Sequence, residues 1–242
     1  MTEEEIRQLV LRRYSVAQSS VGLWRLNLYM RWKRVSWRCF VASTSALKRL
    51  FDIVVSFILL VVFSPLFLAL ALLVKLEDGG PVLFAQSRVG RWGREFKMLK
   101  FRSMCLDAEE HLKALLSKNQ HRDGVTFKMK DDPRLTKIGK RMRRYSLDEL
   151  PQLWNVLRGD MSLVGPRPPL PREVARYSPA DRRRLAVIPG ITCLWQVGGR
   201  SEIDFSGQVQ LDVLYIESQS FWGDLKILLR TVPAVLSGKG AC

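Results

Sequence analysis

The chain has 242 residues, 47% of them hydrophobic, and a formal net charge of +16. That apolar content is enough to bury a real core, and the charge asks for a polyanionic partner, which nucleic acid, an anionic membrane surface or phosphorylated substrates would each satisfy. Cys39, Cys105, Cys193, Cys242 and the two histidines show no CxxC or other ligand spacing, which excludes a Cys or His metal site and reads as reduced thiols facing a cytoplasm.

Residues 1 to 20 open with Glu3-Glu4-Glu5 and carry a weak helical pattern with no cleavable signal. From Leu23 to Phe40, Trp24, Leu26, Leu28, Tyr29, Trp32, Val35 and Trp37 interleave with Arg25, Arg31, Lys33, Arg34 and Arg38. Indole rings with guanidinium groups suit a membrane headgroup interface; a partner-binding or packed helix is the alternative. Ile53 to Val74 is a run of 22 residues without a charge, about 33 Å of helix. Two features argue against a simple span. Ser64-Pro65 stands near the middle, where proline removes a backbone bond and favours a kink. Cations also flank both ends: Arg31, Lys33, Arg34, Arg38, Lys48 and Arg49 before, Lys75, Arg88, Arg91 and Arg94 after. Both ends then belong on the cytoplasmic side, and a helix that enters, bends and returns satisfies both facts. Asp52 pairs with Lys48 or Arg49, or caps the segment.

Glu77-Asp78-Gly79-Gly80-Pro81 signals a turn. Val82 to Phe84 reads as a short strand, Arg88 to Arg94 as a basic turn and Glu95 to Met104 as extended, together a β-hairpin. Lys100 and Arg102 are either solvated edge charges or phosphate ligands. Leu106 to Ser117 reads as an amphipathic helix, Lys118 to Asp132 as a loop, and Lys137 to Arg144 as a basic helix with Ile138 and Met142 on one face.

Next come Asp148 and Glu149, two adjacent carboxylates at a helix start. Neighbours on a helix point about 100° apart, so one could attack while the other holds a metal. Ser146-x-x-Glu149 is equally a capping box, although a helix begun at Ser146 would put Pro151 where its missing N–H is costly; a start nearer Asp148 tolerates it. Arg167 stands between Pro166 and Pro168, whose rings restrict the backbone, and a stiffly held guanidinium suits phosphate recognition. Pro171 to Leu185 reads as a basic helical stretch, Ile188 to Thr192 as a turn. Phe221 to Val235 reads as an aromatic, apolar helix that lies on a membrane or packs in the core.

LDELPQLWNVLRGDMSLVGPRP (Leu147 to Pro168), with KRLFD (Lys48 to Asp52), RRRLAVIPGIT (Arg182 to Thr192) and WQVGGR (Trp195 to Arg200), resembles the bacterial sugar transferase family, the monotopic phosphoglycosyl transferases. The resemblance runs from about Leu47 to the C-terminus. It implies a mostly helical α+β fold: an interfacial extension over 1–46, a re-entrant membrane helix over 47–76 broken at Ser64-Pro65, and a cytoplasmic catalytic domain over 77–242 with a small β-hairpin and interfacial amphipathic helices. It implies transfer of a sugar 1-phosphate from a UDP-sugar to undecaprenyl phosphate at the bacterial inner membrane, with UMP released. Asp148 would be the nucleophile, forming a phosphoglycosyl-aspartate, and Glu149 its partner. Both would hold Mg²⁺, and Arg143, Arg167, Arg200, Lys100 and Arg102 would hold phosphates. Asp212 falls at a matched acidic position and is expected to pair with an arginine, while Cys193 stands where glycine is common. Expected partners are the UDP-sugar, the polyprenol phosphate and the anionic bilayer, without nucleic acid and with a second copy of the chain left open. A non-catalytic basic module anchored to a membrane is the competing class; it accounts for the charge but not for adjacent carboxylates between cationic motifs.

Overall fold

The computed structural model describes residues 4–8, 11, 20–108, 110–111, 129, 132–199 and 203–238, with backbone alone at 38–42. The chain divides into two units, Met1–Lys48 and Arg49–Cys242. In the first unit the described residues are helical, and helix α1 (Ser20–Val62) begins there. Its Trp24, Trp32 and Trp37 are 63%, 67% and 66% exposed, and Tyr29, Arg25, Arg31, Lys33 and Arg34 are exposed as well, so these aromatic and cationic residues lie on its surface rather than in a core.

In the second unit α1 runs from Arg49 to Val62, and α2 (Ser64–Asp78) leaves at 62° to it. The break has a local cause. The Val61 carbonyl would accept from the amide of residue 65, which in proline has no hydrogen; the Ser64 hydroxyl donates to that carbonyl instead, at 2.8 Å. Serine thus supplies the bond proline removes. No single described helix is long and apolar enough to cross a membrane, whereas the bent pair together has that length and composition. Phe51, Val55 and Leu59 pack inward on one side of the break, and Leu70 and Val74 on the other. Val54, Phe57, Val61, Leu68, Leu72 and Leu76 remain exposed on the two helices. Arg49 donates to the carbonyls of Val156 and Leu157 at 2.6 and 2.7 Å. Asp52, buried, accepts the Leu163 amide at 3.1 Å, so it reaches a segment far along the chain and not only its own helix neighbours.

Strands β1 (Leu83–Val89) and β2 (Glu95–Phe101) form an antiparallel hairpin, Leu83 opposite Phe101 and Val89 opposite Glu95. β1 extends well past Phe84 because Ala85 to Val89 find partners across the turn. Of the helix expected over Leu106 to Ser117, Ala108, Glu110 and His111 are helical and 109 and 112–117 lie outside the described residues, as does nearly all of the loop expected over Lys118 to Asp132. Helix α3 (Lys137–Arg144) starts at Thr136, whose hydroxyl accepts the Gly139 amide at 2.9 Å. Its Met142 joins Phe101, Leu70 and Val74 in one core, with Ile138 against it. A second core gathers Met98, Leu153, Val156, Met161, Leu163, Tyr215 and Ile227.

Helix α4 (Gln152–Arg158) is followed by β3 (Ser162–Val164), which pairs in parallel with β4 (Gly190–Thr192). Residues 188 to 192 therefore contain a strand rather than only a turn. Gly165 and Gly190 let the two segments meet: a Cβ on Gly190 would stand 2.0 Å from the Gly165 nitrogen. The basic stretch Pro171 to Leu185 is not one helix but α5 (Pro171–Val174) and a 3₁₀ turn at Asp181–Leu185. Ser178, preceding Pro179, is disfavoured in a helix and separates them. Helices α6 (Leu194–Gly198), α7 (Phe205–Glu217) and α8 (Phe221–Ser237) complete the unit. α8 divides by face: Ile227 enters the core, while Trp222, Leu229 and Leu236 are bare.

Candidate active site

Leu147, Asp148 and Glu149 form a single 3₁₀ turn, and α4 begins only after Pro151. The capping box is not made. Ser146 sits in the left-handed region at φ +53° and its side chain caps nothing, whereas an N-cap needs extended backbone. With no N–H on Pro151, the chain closes tighter bonds instead, from the Glu149 amide to the Ser146 carbonyl at 3.2 Å and from Leu150 to Leu147 at 3.3 Å. Glu149 is thereby released from any capping duty.

Its carboxylate goes to two cations. Lys100 Nζ donates to Oε1 at 2.7 Å and Arg167 Nη1 to the same oxygen at 3.3 Å. Burial alone would raise the pKa of Glu149, but Lys100 and then Arg167 outweigh it and hold the group at about 2. Asp148 is treated oppositely. It is 4% exposed, and among the described residues its carboxylate has no hydrogen-bond or ion-pair partner. Burial raises its pKa; Lys100 opposes this and Glu149 adds to it. Arg143, on α3, donates to the Ser103 hydroxyl at 3.0 Å. Burial lowers its pKa, while the charge of Asp148 and then that of Asp132 favour its protonated form. The structure thus gathers Lys100, Arg143 and Arg167 around two neighbouring carboxylates, an excess of positive charge that suits a phosphorylated ligand.

Arg102 is not brought into contact with the carboxylates. It pairs with Asp78 at the end of α2, with Nε and Nη1 buried and unpartnered among the described residues. Arg200 lies outside the described residues. Arg141 and Arg144 are exposed.

Two residues not singled out in the sequence also shape the site. Arg88 is buried, donates to the Pro168 carbonyl at 3.0 Å and to Gln86, and so braces the turn that carries Arg167. Burial and the nearby Arg167 lower its pKa to about 10. Asn155 is fully buried on α4 and bonds both ways to β2. A polar residue flanked by Leu153 and Val156, on the face that packs, was the available signal.

Behind the site, Asp212 and Arg184 form a buried ion pair, as expected from the sequence. Tyr177 and Phe205 rings lie 5.8 and 5.9 Å from the Arg184 guanidinium carbon. Burial pushes Asp212 up to about 6 against the pull of Arg184. Cys193 has φ −151° and ψ 172°, extended backbone open to any residue. The glycine that the family resemblance implies at that position is not required by this backbone.

Among the described residues, no three His, Cys, Asp or Glu side chains gather as a metal cluster. Magnesium commonly takes one or two carboxylates and completes its shell with water and substrate phosphates. Asp148, uncommitted, and Glu149, whose two cations share one oxygen, fit such a donor set.

The bacterial sugar transferase family profile matches residues 43–238. The chain is 56% identical over 166 residues to galactosyl transferase CpsE of Streptococcus agalactiae, covering 68% of this chain and 37% of that protein. It is 45% identical over 202 residues to the undecaprenyl-phosphate galactose phosphotransferase of Salmonella typhimurium, covering 82% and 42%. With the exopolysaccharide production protein ExoY of Sinorhizobium fredii, identity is 40% over 197 residues, covering 80% and 87%. The chain spans about two fifths of the length of the first two relatives and most of the third. It belongs to the bacterial sugar transferase family.

Proposed function

We propose that the chain is a phosphoglycosyl transferase that moves a hexose 1-phosphate, glucose or galactose, from a UDP-sugar to undecaprenyl phosphate, as a first membrane step of exopolysaccharide or related glycan assembly. The observation that carries the reading is the contrast within the carboxylate pair: Asp148 is buried, unbonded and ringed by cations, while Glu149 beside it is tied to Lys100 and Arg167. A free carboxylate facing an anion site is the arrangement a nucleophile needs. The names of the relatives, an undecaprenyl-phosphate galactose phosphotransferase among them, support the substrates.

In this reading an Asp148 oxygen attacks the β-phosphorus, forming an acyl phosphate as the bond to the UMP oxygen breaks and UMP departs. An oxygen of the carrier phosphate then attacks the same phosphorus, giving the diphosphate-linked sugar and restoring the Asp148 carboxylate. Arg143 and Arg167 hold phosphate oxygens. Lys100 orients Glu149, which supports either the metal or the acceptor. Asp148 and Glu149 would hold Mg²⁺, which supplies neutralisation of phosphate charge. The bent pair α1 and α2 would enter and leave the cytoplasmic leaflet of the bacterial inner membrane, keeping the N-terminus and the catalytic residues on the cytoplasmic face, with the Trp-rich stretch of α1 on anionic headgroups.

The test is UMP release from a panel of UDP-sugars, in detergent, with polyprenol phosphate and Mg²⁺. Release with one hexose donor, abolished by chelation, is expected. Binding of lipid or nucleic acid without release from any donor would instead leave the non-catalytic module.

A further inference from the structure

Helix α4 carries one polar side chain with no access to solvent. Asn155 is 0% exposed, in a helix whose neighbouring Leu153 and Val156 belong to the core. A buried carboxamide left unbonded is costly, and one that satisfies both its ends is a strong constraint on whatever it bonds. Here both ends go to the same strand. The Asn155 Oδ1 accepts the Leu99 amide at 2.9 Å, and its Nδ2 donates to the Lys97 carbonyl at 2.8 Å. A carboxamide offering one acceptor and one donor in this way takes the place of a neighbouring strand on the open edge of β2. The main chain of the same residue closes the end of α4: its carbonyl accepts the amides of Gly159, Asp160 and Met161 at 3.1, 3.1 and 3.3 Å.

The next residue along β2 is Lys100. Its ammonium reaches Glu149 Oε1 at 2.7 Å, three residues ahead of the first residue of α4. Asn155 and Glu149 therefore belong to one continuous stretch of chain, and Leu99 and Lys100 to another. The two stretches are fastened at two points, Asn155 to the backbone and Glu149 to the ammonium. A lysine stem has four rotatable bonds and no geometry of its own, so the place of its ammonium depends on the backbone that carries it. Fixing Lys97 and Leu99 fixes that origin.

We propose that Asn155 is a positioning residue for the reaction: it sets the register of β2 against α4 and so aims Lys100 at Glu149. The proposal rests on the transferase reading above. It assigns Asn155 no contact with substrate; its effect passes through Lys100.

The test is a double-mutant cycle on the full chain in detergent, with Asn155→Ala, Lys100→Ala and the pair, reading kcat and KM for the UDP-sugar separately. Asn155→Ala should lower kcat about tenfold with KM changed less than about twofold, because phosphate ligands elsewhere are left alone. In the Lys100→Ala background the same substitution should cost less than about threefold, since the residue it acts through has gone. Asn155→Asp keeps the acceptor for the Leu99 amide and loses the donor, and should recover part of kcat. If Asn155→Ala fails to fold, the cycle is run with Asn155→Asp and Asn155→Ser. Wild-type kcat in a folded Asn155 variant, or losses that multiply fully in the double mutant, overturns the proposal. Absence of UMP release from the unaltered chain with every donor would overturn the transferase reading instead, so the two failures are distinct.

Discussion

Asp148 and Glu149 are neighbours in the chain held in opposite states: one carboxylate has two cations on a single oxygen, and the other, 4% exposed, has no bonding partner among the described residues. Removing charge from each should therefore have different consequences. Asp148→Asn deletes a buried carboxylate whose ionised form burial already disfavours, so stability should change by no more than about 1 kcal/mol in either direction. The amide cannot form an acyl phosphate. Turnover should fall by about three orders of magnitude or more, and intact mass should show no phosphosugar adduct. A folded Asp148→Asn protein retaining over about a tenth of turnover, a barrier change below about 1.4 kcal/mol, would remove Asp148 from the role of nucleophile.

Glu149 should govern the response of stability to acid. Its folded pKa, about 2, is below its ordinary 4.5, so its contribution is fully present above about pH 4.5 and is lost as pH falls towards 2. The difference amounts to at most about 3 kcal/mol, and the raised Asp148 beside it works in the opposite sense. Glu149→Gln should flatten the acid limb of stability over that window. Urea unfolding followed between pH 2 and 6 reads it directly; an unchanged limb would mean that Lys100 and Arg167 do not hold Glu149 ionised.

Lys100 and Arg102 alternate with one residue between them on β2, yet the structure gives them different work. Lys100→Ala unties Glu149 from its shorter contact and should lower turnover about a hundredfold, with the fold retained. Arg102→Ala removes a buried guanidinium and leaves Asp78 without its ion pair, which should cost about 1–3 kcal/mol of stability and leave turnover per folded molecule within about threefold. Thermal unfolding alongside kcat separates the two. Equal losses of turnover in both variants would return Arg102 to the phosphate site.

Much of this was legible in the sequence where the signal was local. The Ser64-Pro65 break follows from a missing N–H and the hairpin from alternation around a glycine turn, while the Asp212 ion pair was implied by the family resemblance rather than by the local pattern. What escaped depended on contacts distant in sequence. β3 and β4 are three residues each and take their identity from pairing with one another across Gly165 and Gly190, so no periodicity announces them. Ser146-x-x-Glu149 satisfies a local motif, but Lys100, 49 residues away, takes the glutamate. The same limit applies to Lys100 and Arg102: nothing in the spacing of two cations on one strand says which will meet Glu149 and which Asp78.

Cys193 supplies a prediction with a sign opposite to the one its position suggests. The family resemblance implies glycine there, and introducing it would then be expected to relieve strain. The backbone is extended and unstrained, however, and the side chain is 1% exposed with Sγ 3.1 Å from Gln196 Oε1. Cys193→Gly should destabilise the protein by about 1–2 kcal/mol, through the added freedom of the unfolded chain and the space left behind. Turnover per folded molecule should be unchanged. A gain in stability on chemical denaturation would show that the cysteine is tolerated rather than packed.

In the membrane arrangement proposed above, the bend at Ser64 would decide on which side of the bilayer the N-terminus lies. Replacing Pro65 with alanine returns an amide hydrogen to residue 65, and the Val61 carbonyl, now served by Ser64 Oγ at 2.8 Å, regains its ordinary donor. The 62° angle between the two helices then has no local cause. A straight run from Ile53 to Val74 is about 33 Å long, enough for the hydrocarbon core of about 30 Å. The cations ahead of α1's apolar part still favour the cytoplasm, so the expected outcome is a mixture of re-entrant and spanning molecules. Thr2→Cys, with Cys39 and Cys242 changed to serine, provides the reporter. A membrane-impermeant maleimide applied to intact cells should leave it unlabelled in the parent sequence and label a fraction of the Pro65→Ala protein. Labelling of the parent would place the N-terminus outside and overturn the re-entrant arrangement, while an unlabelled Pro65→Ala protein would show that charge, and not the Ser-Pro pair, sets the topology.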